Sequence, residues 1–180
     1  MTRGTLLTLT CALTLGLGLA GCGGADEDPA GPRPSASASA TPTADEEEAA
    51  VAAAYTAFLE EKRTIENSGN VPADAYEATV APDRIEKERA LARQYAESGL
   101  VRVGQSEVKD PEVVDLSGDS ATLLVCENED GWGFKPKGQE VQYPENGWGP
   151  RGMKVVRVDD RWLVAETLDQ AQLPAKDCGA

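Results

Sequence analysis

The chain has 180 residues, with 17 basic and 31 acidic side chains, no histidine and a formal charge of −14. The acidic balance excludes a nucleic-acid partner, which needs a clustered basic surface. The lack of histidine removes the usual base of nucleophilic triads and the commonest zinc ligand, so any catalysis must run on Asp, Glu, Tyr, Lys or Ser.

Residues 1–21 read as an export signal: Arg3 gives the positive start, Thr5 to Leu19 the apolar middle, and Ala20-Gly21 the small residues before a cut. The middle holds four threonines and two glycines, which makes it a poor membrane span. Leu19-Ala20-Gly21-Cys22 resembles the lipobox of bacterial lipoproteins. That resemblance implies a diacylglyceryl group on the Cys22 sulfur and cleavage just before it. Two acyl chains meet the requirement for stable anchoring, because each buried methylene contributes about 0.8 kcal/mol and one chain alone is marginal. The expected location is therefore the extracytoplasmic face of a membrane. Cys11 leaves with the signal and Cys22 carries lipid, so Cys126 and Cys178 remain, and an exported domain most often joins such a pair.

Residues 22–44 form the next segment, "CGGADEDPAGPRPSASASATPTA", rich in Ala, Ser and Pro, with no apolar periodicity. It cannot bury enough surface to offset its ordering entropy and reads as a disordered tether. The folded domain is expected over 45–180. Asp45 and Glu48 have the spacing of an acidic capping box, and Val51, Tyr55, Phe58 and Leu59 mark one face of a helix running to about Thr64. "NSGNVP" breaks it. The pattern predicts a short helix over Ala73–Thr79, then a second well-marked helix from Asp83, with Ile85, Leu91, Ala92 and Tyr95 on its face and Gly99 as its stop. After Gly99 come the valine-rich phrases "LVRVGQSEV", "EVVDL", "ATLLVCE", "MKVVRVD" and "RWLVAET", which read as short strands. Helices first and strands afterwards predict an α+β fold with an antiparallel sheet.

This order, ending in "VVRVDDRWLVAET", resembles the nuclear-transport-factor-2-like (SnoaL-like) superfamily, in particular its exported actinobacterial lipoproteins. The resemblance implies a cone: a curved antiparallel sheet wrapped around N-terminal helices, with a pocket at the open end lined by Tyr55 and Tyr95. Some enzymes of the superfamily shift protons in that cone with a tyrosine–aspartate pair. Here no residue is assigned as catalytic, and no motif for a cofactor, phosphate loop or metal stands out. Glu127, Glu129 and Asp130 lack the spacing of a calcium loop and read as a solvated acidic turn.

The unusual stretch is Asn128–Gly152, with six glycines, three prolines and four aromatics in 25 residues. "DGWG" at Asp130 returns as "NGWG" at Asn146. "GWGFKPKGQEVQY" reads as a hairpin turning at Pro136–Gly138, which would put Trp132 with Phe134 and Val141 with Tyr143 on shared faces. Trp132, Phe134, Tyr143 and Trp148 form a candidate binding loop, or else the tryptophans fold back over the edge of the cone. The functional expectation is a non-catalytic module binding a protein or a small apolar ligand, anchored through Cys22. A small cone-cavity enzyme, marked by a carboxylate within reach of a tyrosine, is the alternative, and a homodimer through the outer sheet face is a third.

Overall fold

The computed structural model describes residues 42–141 and 145–179. The signal and lipobox at 1–22, the tether as far as Thr41, and Tyr143 lie outside the described residues. The fold is α+β: helix α1 (Ala44–Ser68) and helix α2 (Pro82–Glu97) precede six strands, β1 (Leu100–Val103), β2 (Glu107–Ser117), β3 (Ser120–Asn128), β4 (Gly133–Pro136), β5 (Gly149–Val158) and β6 (Arg161–Thr167). The strands β2-β3-β5-β6 form one antiparallel sheet in that order, and β1 pairs with β4 as a separate antiparallel ribbon.

Helix α1 starts earlier than the acidic pattern suggests. Thr43 is the N-cap: its hydroxyl accepts from the Glu46 N–H at 3.3 Å, and the Glu46 carboxylate accepts from the Thr43 N–H at 2.8 Å. The helix runs past Thr64 to Gly69, whose left-handed φ of 67° lets its N–H reach the Ile65 carbonyl. Its inward stripe of Val51, Tyr55, Phe58 and Ile65 packs on Leu123 and Val125 of β3, Val155 of β5 and Trp162 and Val164 of β6. The N-terminal end of α1 is tied to β5 and β6 by Glu47, which accepts from the Trp162 indole at 2.9 Å and pairs with Arg157.

Three expectations are corrected. The segment Ala73–Thr79 is a run of turns and not a helix. Tyr76 has a φ of 68°, and Glu61 of α1 takes the Tyr76 N–H at 2.7 Å, a donor a helix would use, together with the Thr79 hydroxyl. "LVRVGQSEV" is two strands. It breaks at Gly104, with φ of 75°, where a Cβ would fall 1.6 Å from the Gly131 carbonyl oxygen. The aromatic hairpin does not close on itself: β4 pairs with β1, placing Phe134 opposite Arg102, and Val141 is exposed outside any strand.

Cys126 and Cys178 are joined, with an S–S distance of 2.05 Å. The bond ties the chain end to β3 on the face away from α1. There Leu124, Leu168 and Leu173 close around Gly152. Both faces of β3 are thus covered, which explains why "LLVC" reads as a continuous apolar run and not an alternating one.

Candidate functional site: a charged cleft beside Tyr55

Four residues on one stripe of α1 (Tyr55, Phe58, Lys62 and Glu66) follow at intervals of three, four and four, so an apolar face becomes an ionic one midway along the helix. The inner face of α2 does likewise, burying Glu88 and Arg89 with Ala92. Glu66, Glu88 and Glu127 are 4%, 4% and 6% exposed, which is tolerable only if each carboxylate is paired.

They are paired in one continuous chain. The Tyr55 hydroxyl donates to Glu127 at 3.0 Å, and Arg151 Nε donates to the same oxygen at 3.0 Å. Arg151 reaches on to Glu129 at 2.8 Å, and Arg102 stands 3.5 Å from the other oxygen of Glu129. Arg102 also donates to Glu66 at 3.0 Å. Lys62 lies 3.0 Å from Glu66 and 3.2 Å from Glu88, and Arg84 Nε donates to Glu88 at 2.8 Å. The network therefore stitches α1, α2, β1, β3 and β5 together. The arginines also lie over aromatic faces: Arg102 is 3.4 Å from the centroid of the Trp132 ring, and Arg84 is 5.6 Å from that of Phe58.

The surroundings shift three of these groups. Burial together with the Glu127 carboxylate pushes the Tyr55 hydroxyl far above its ordinary range, so it stays protonated and can only donate to that carboxylate. Burial pushes the Glu88 carboxyl up, but Lys62 and Arg84 outweigh it and hold the group below its ordinary value of 4.5. Burial lowers Arg151, and Glu127 more than reverses this.

An open cleft of about 210 Å³ runs along this network, walled by Tyr55, Phe58, Arg84, Arg102, Trp132 and Met153 among others. A second cleft, of about 390 Å³, shares Tyr55 and Leu59 and is completed by Ala52, Val108 and Val125. Tyr55 is thus a wall of both. Tyr95 lines neither: it packs on Phe134 with ring centroids 4.0 Å apart.

The glycine-rich stretch does not present its aromatics as one outward surface. Trp132 is 4% exposed and forms a wall of the smaller cleft under Arg102, and Phe134 is half-buried against Tyr95. Trp148 is half-buried with Lys109 4.3 Å from its ring centroid. The two Gly-Trp-Gly copies are linked by Asp130, which accepts the Gly147 N–H at 3.0 Å. The acidic turn is not merely solvated either: Glu127 and Glu129 are members of the ionic chain, and Asp130 holds the loop.

Sequence reasoning reached Tyr55 and Trp132 but missed Lys62, Glu66, Arg84, Glu88, Arg102 and Arg151. The available signal was the continuation of each helix's apolar stripe by charged residues four apart, Lys62/Glu66 and Arg84/Glu88.

No family model and no curated protein matches the chain. Among solved structures the backbone is similar to Rv3472, a function-unknown protein from Mycobacterium tuberculosis, at a TM-score of 0.48 and 14% identity, covering 69% of this chain and 73% of that one. It is also similar to the intermembrane space region of the chloroplast protein ARC6, at a TM-score of 0.39 and 17% identity, covering 64% of this chain and 94% of that one. Both are distant likenesses in the course of the backbone.

Proposed function

We propose that the protein is an exported lipoprotein, held through an acylated Cys22 at the extracytoplasmic face of a membrane, whose folded part is a non-catalytic binding module of the nuclear-transport-factor-2-like cone type. Its binding site is the cleft bounded by Tyr55, Arg102 and Trp132. The lipobox supports export and anchoring, and the joined Cys126–Cys178 pair supports an oxidising surrounding. The order of helices before strands, with α1 packed into an antiparallel sheet, supports the cone.

The observation that carries the binding reading is a tyrosine held protonated, donating to a carboxylate that Arg151 also engages, beside an open cleft. Proton transfer needs a group that titrates near the working pH. Tyr55 is held protonated, and the carboxylate it donates to is also engaged by Arg151 at 3.0 Å. The network holds a shape, with each of its buried carboxylates engaged by a cation. A thermal-shift screen of the full chain in detergent against small organic compounds tests this. A ligand at 100 times its Kd should stabilise by about 2.7 kcal/mol. Absence of any stabilising compound would count against the module. In parallel, radiolabelled palmitate should mark the wild type and not Cys22→Ala.

A small cone-cavity enzyme is the second reading, favoured by the 3.0 Å contact between a tyrosine and a carboxylate at a cleft. Product analysis of each stabilising compound separates the two. Conversion that stops in Tyr55→Phe would put the enzyme in place of the module.

A further inference from the structure

Of the four asparagines in the chain, Asn146 alone precedes a glycine. Asparagine is a thermolabile residue, because the backbone nitrogen of the next residue can attack its side-chain amide carbon. A side chain on that next residue crowds the attack, and glycine has none. Asn146 and Gly147 are exposed and lie outside any helix or strand, and a Cβ built on Gly147 would meet nothing within 4 Å. The other three are worse placed. Asn67 lies in α1, Asn128 ends β3, and Asn70 precedes the β-branched Val71.

Asp130 clasps the Asn146–Gly147 pair. One of its carboxylate oxygens accepts the Asn146 N–H at 2.5 Å, and the other accepts the Gly147 N–H at 3.0 Å. Asp130 is fixed in turn by Asn128, whose side chain accepts the Asp130 N–H at 2.8 Å. The nitrogen that must attack is thus the one whose proton Asp130 holds. Attack requires that proton to leave, so the clasp has to open first.

We propose that Asn146 is a site of spontaneous deamidation, gated by the Asp130 clasp, and that the product weakens the clasp. The Gly147 nitrogen loses its proton to a solvent base and bonds to the Asn146 side-chain amide carbon. The bond from that carbon to the amide nitrogen breaks, and ammonia leaves with a proton from solvent. Water then opens the cyclic imide at either carbonyl, giving aspartate or isoaspartate. In sum, one water enters and one ammonia departs. Both products carry a carboxylate on the residue whose N–H Asp130 holds, and like charges repel. Isoaspartate also lengthens the main chain between the two clasped N–H groups. The inference is independent of what the cleft binds.

The test incubates the full chain in detergent at mildly alkaline pH and follows conversion of amide to acid at each asparagine by peptide mass spectrometry. Residue 146 should convert at least about tenfold faster than Asn67, Asn70 or Asn128. Asp130→Ala removes the clasp and should speed conversion at 146 about tenfold further. In Asn146→Asp, hydrogen exchange at the Gly147 N–H should be about fivefold faster than in the wild type. The wild-type comparison and the exchange measurement need nothing of the Asp130→Ala variant. Conversion at 146 no faster than at the other three would overturn the site. Conversion unchanged or slowed in a folded Asp130→Ala would overturn the gating, and unchanged exchange in Asn146→Asp would overturn the effect on the clasp.

Discussion

Glu88 carries an acid-sensitive share of the stability. Its carboxyl is 4% exposed and held below its ordinary value of 4.5 because Lys62 and Arg84 outweigh its burial. A carboxyl lowered in the folded state contributes fully above its unfolded value and loses that contribution as pH falls through the lower folded value. Urea midpoints should therefore be flat near neutrality and fall below about pH 4.5. Glu88→Gln removes the charge between two half-buried cations, of which Arg84 loses its carboxylate partner, so it should cost about 3 kcal/mol at neutral pH and flatten the acid limb. Tyr55→Phe should cost only about 1 kcal/mol, because Arg151 still satisfies the Glu127 oxygen that the hydroxyl leaves. The residues of the site were half legible. Tyr55 stands out because an aromatic on an apolar stripe is a recognisable pattern. Lys62, Glu66 and Glu88 do not, because a charged side chain in a sequence reads as solvated until the partner that neutralises it, here on another element, is known.

The same limit acts on whole elements. Both long helices and the strand-rich half follow from periodicity, which is local and survives translation into structure. The Ala73–Thr79 segment has helix-compatible residues, yet Glu61, some fifteen positions earlier, claims the Tyr76 N–H that a helix would need, and the Thr79 hydroxyl. The aromatic hairpin fails for a similar reason: β1 offers β4 a pairing edge, and Arg102 lies 3.4 Å and 4.7 Å from the Trp132 and Phe134 ring centroids. The break between β1 and β2 is the most exacting of these features. Gly104 combines a φ of 75° with a backbone contact that leaves no room for a methyl group. Gly104→Ala should cost more than about 2 kcal/mol by chemical denaturation, because backbone and not a flexible side chain blocks it. It should also shift the Trp132 indole signal, since the turn it forces apart carries Arg102 on one side and Trp132 on the other. At the start of α1, Thr43→Ala should cost about 1 kcal/mol through loss of the capping box, leaving the cleft intact.

At the scale of the whole molecule, the remaining question is what holds the last dozen residues onto the sheet. After β6 the chain has one short 3-10 turn at Gln170–Gln172 and few backbone bonds to the rest. It is held by Leu168 and Leu173 around Gly152, by Lys176 paired with Glu112 of β2 at 2.9 Å, by Gln170 donating to the Pro150 carbonyl, and by the link from Cys178 to Cys126, 52 positions apart. This tail lies on the side of β3 and β5 away from α1, across part of the outer face that a homodimer through the sheet would use. In the chain-entropy model a closure of that length is worth about 4 kcal/mol. The Cys126→Ala/Cys178→Ala variant should lose about that much in urea. Hydrogen exchange should then speed up first at residues 168–179, with the α1–sheet core protected until global unfolding. Reduction of the wild type should reproduce both effects, tying the fold's stability to an oxidising surrounding. If the double variant kept wild-type stability and a protected tail, the leucines and the Lys176–Glu112 pair would be holding it, and the disulfide would lose its weight as support for export.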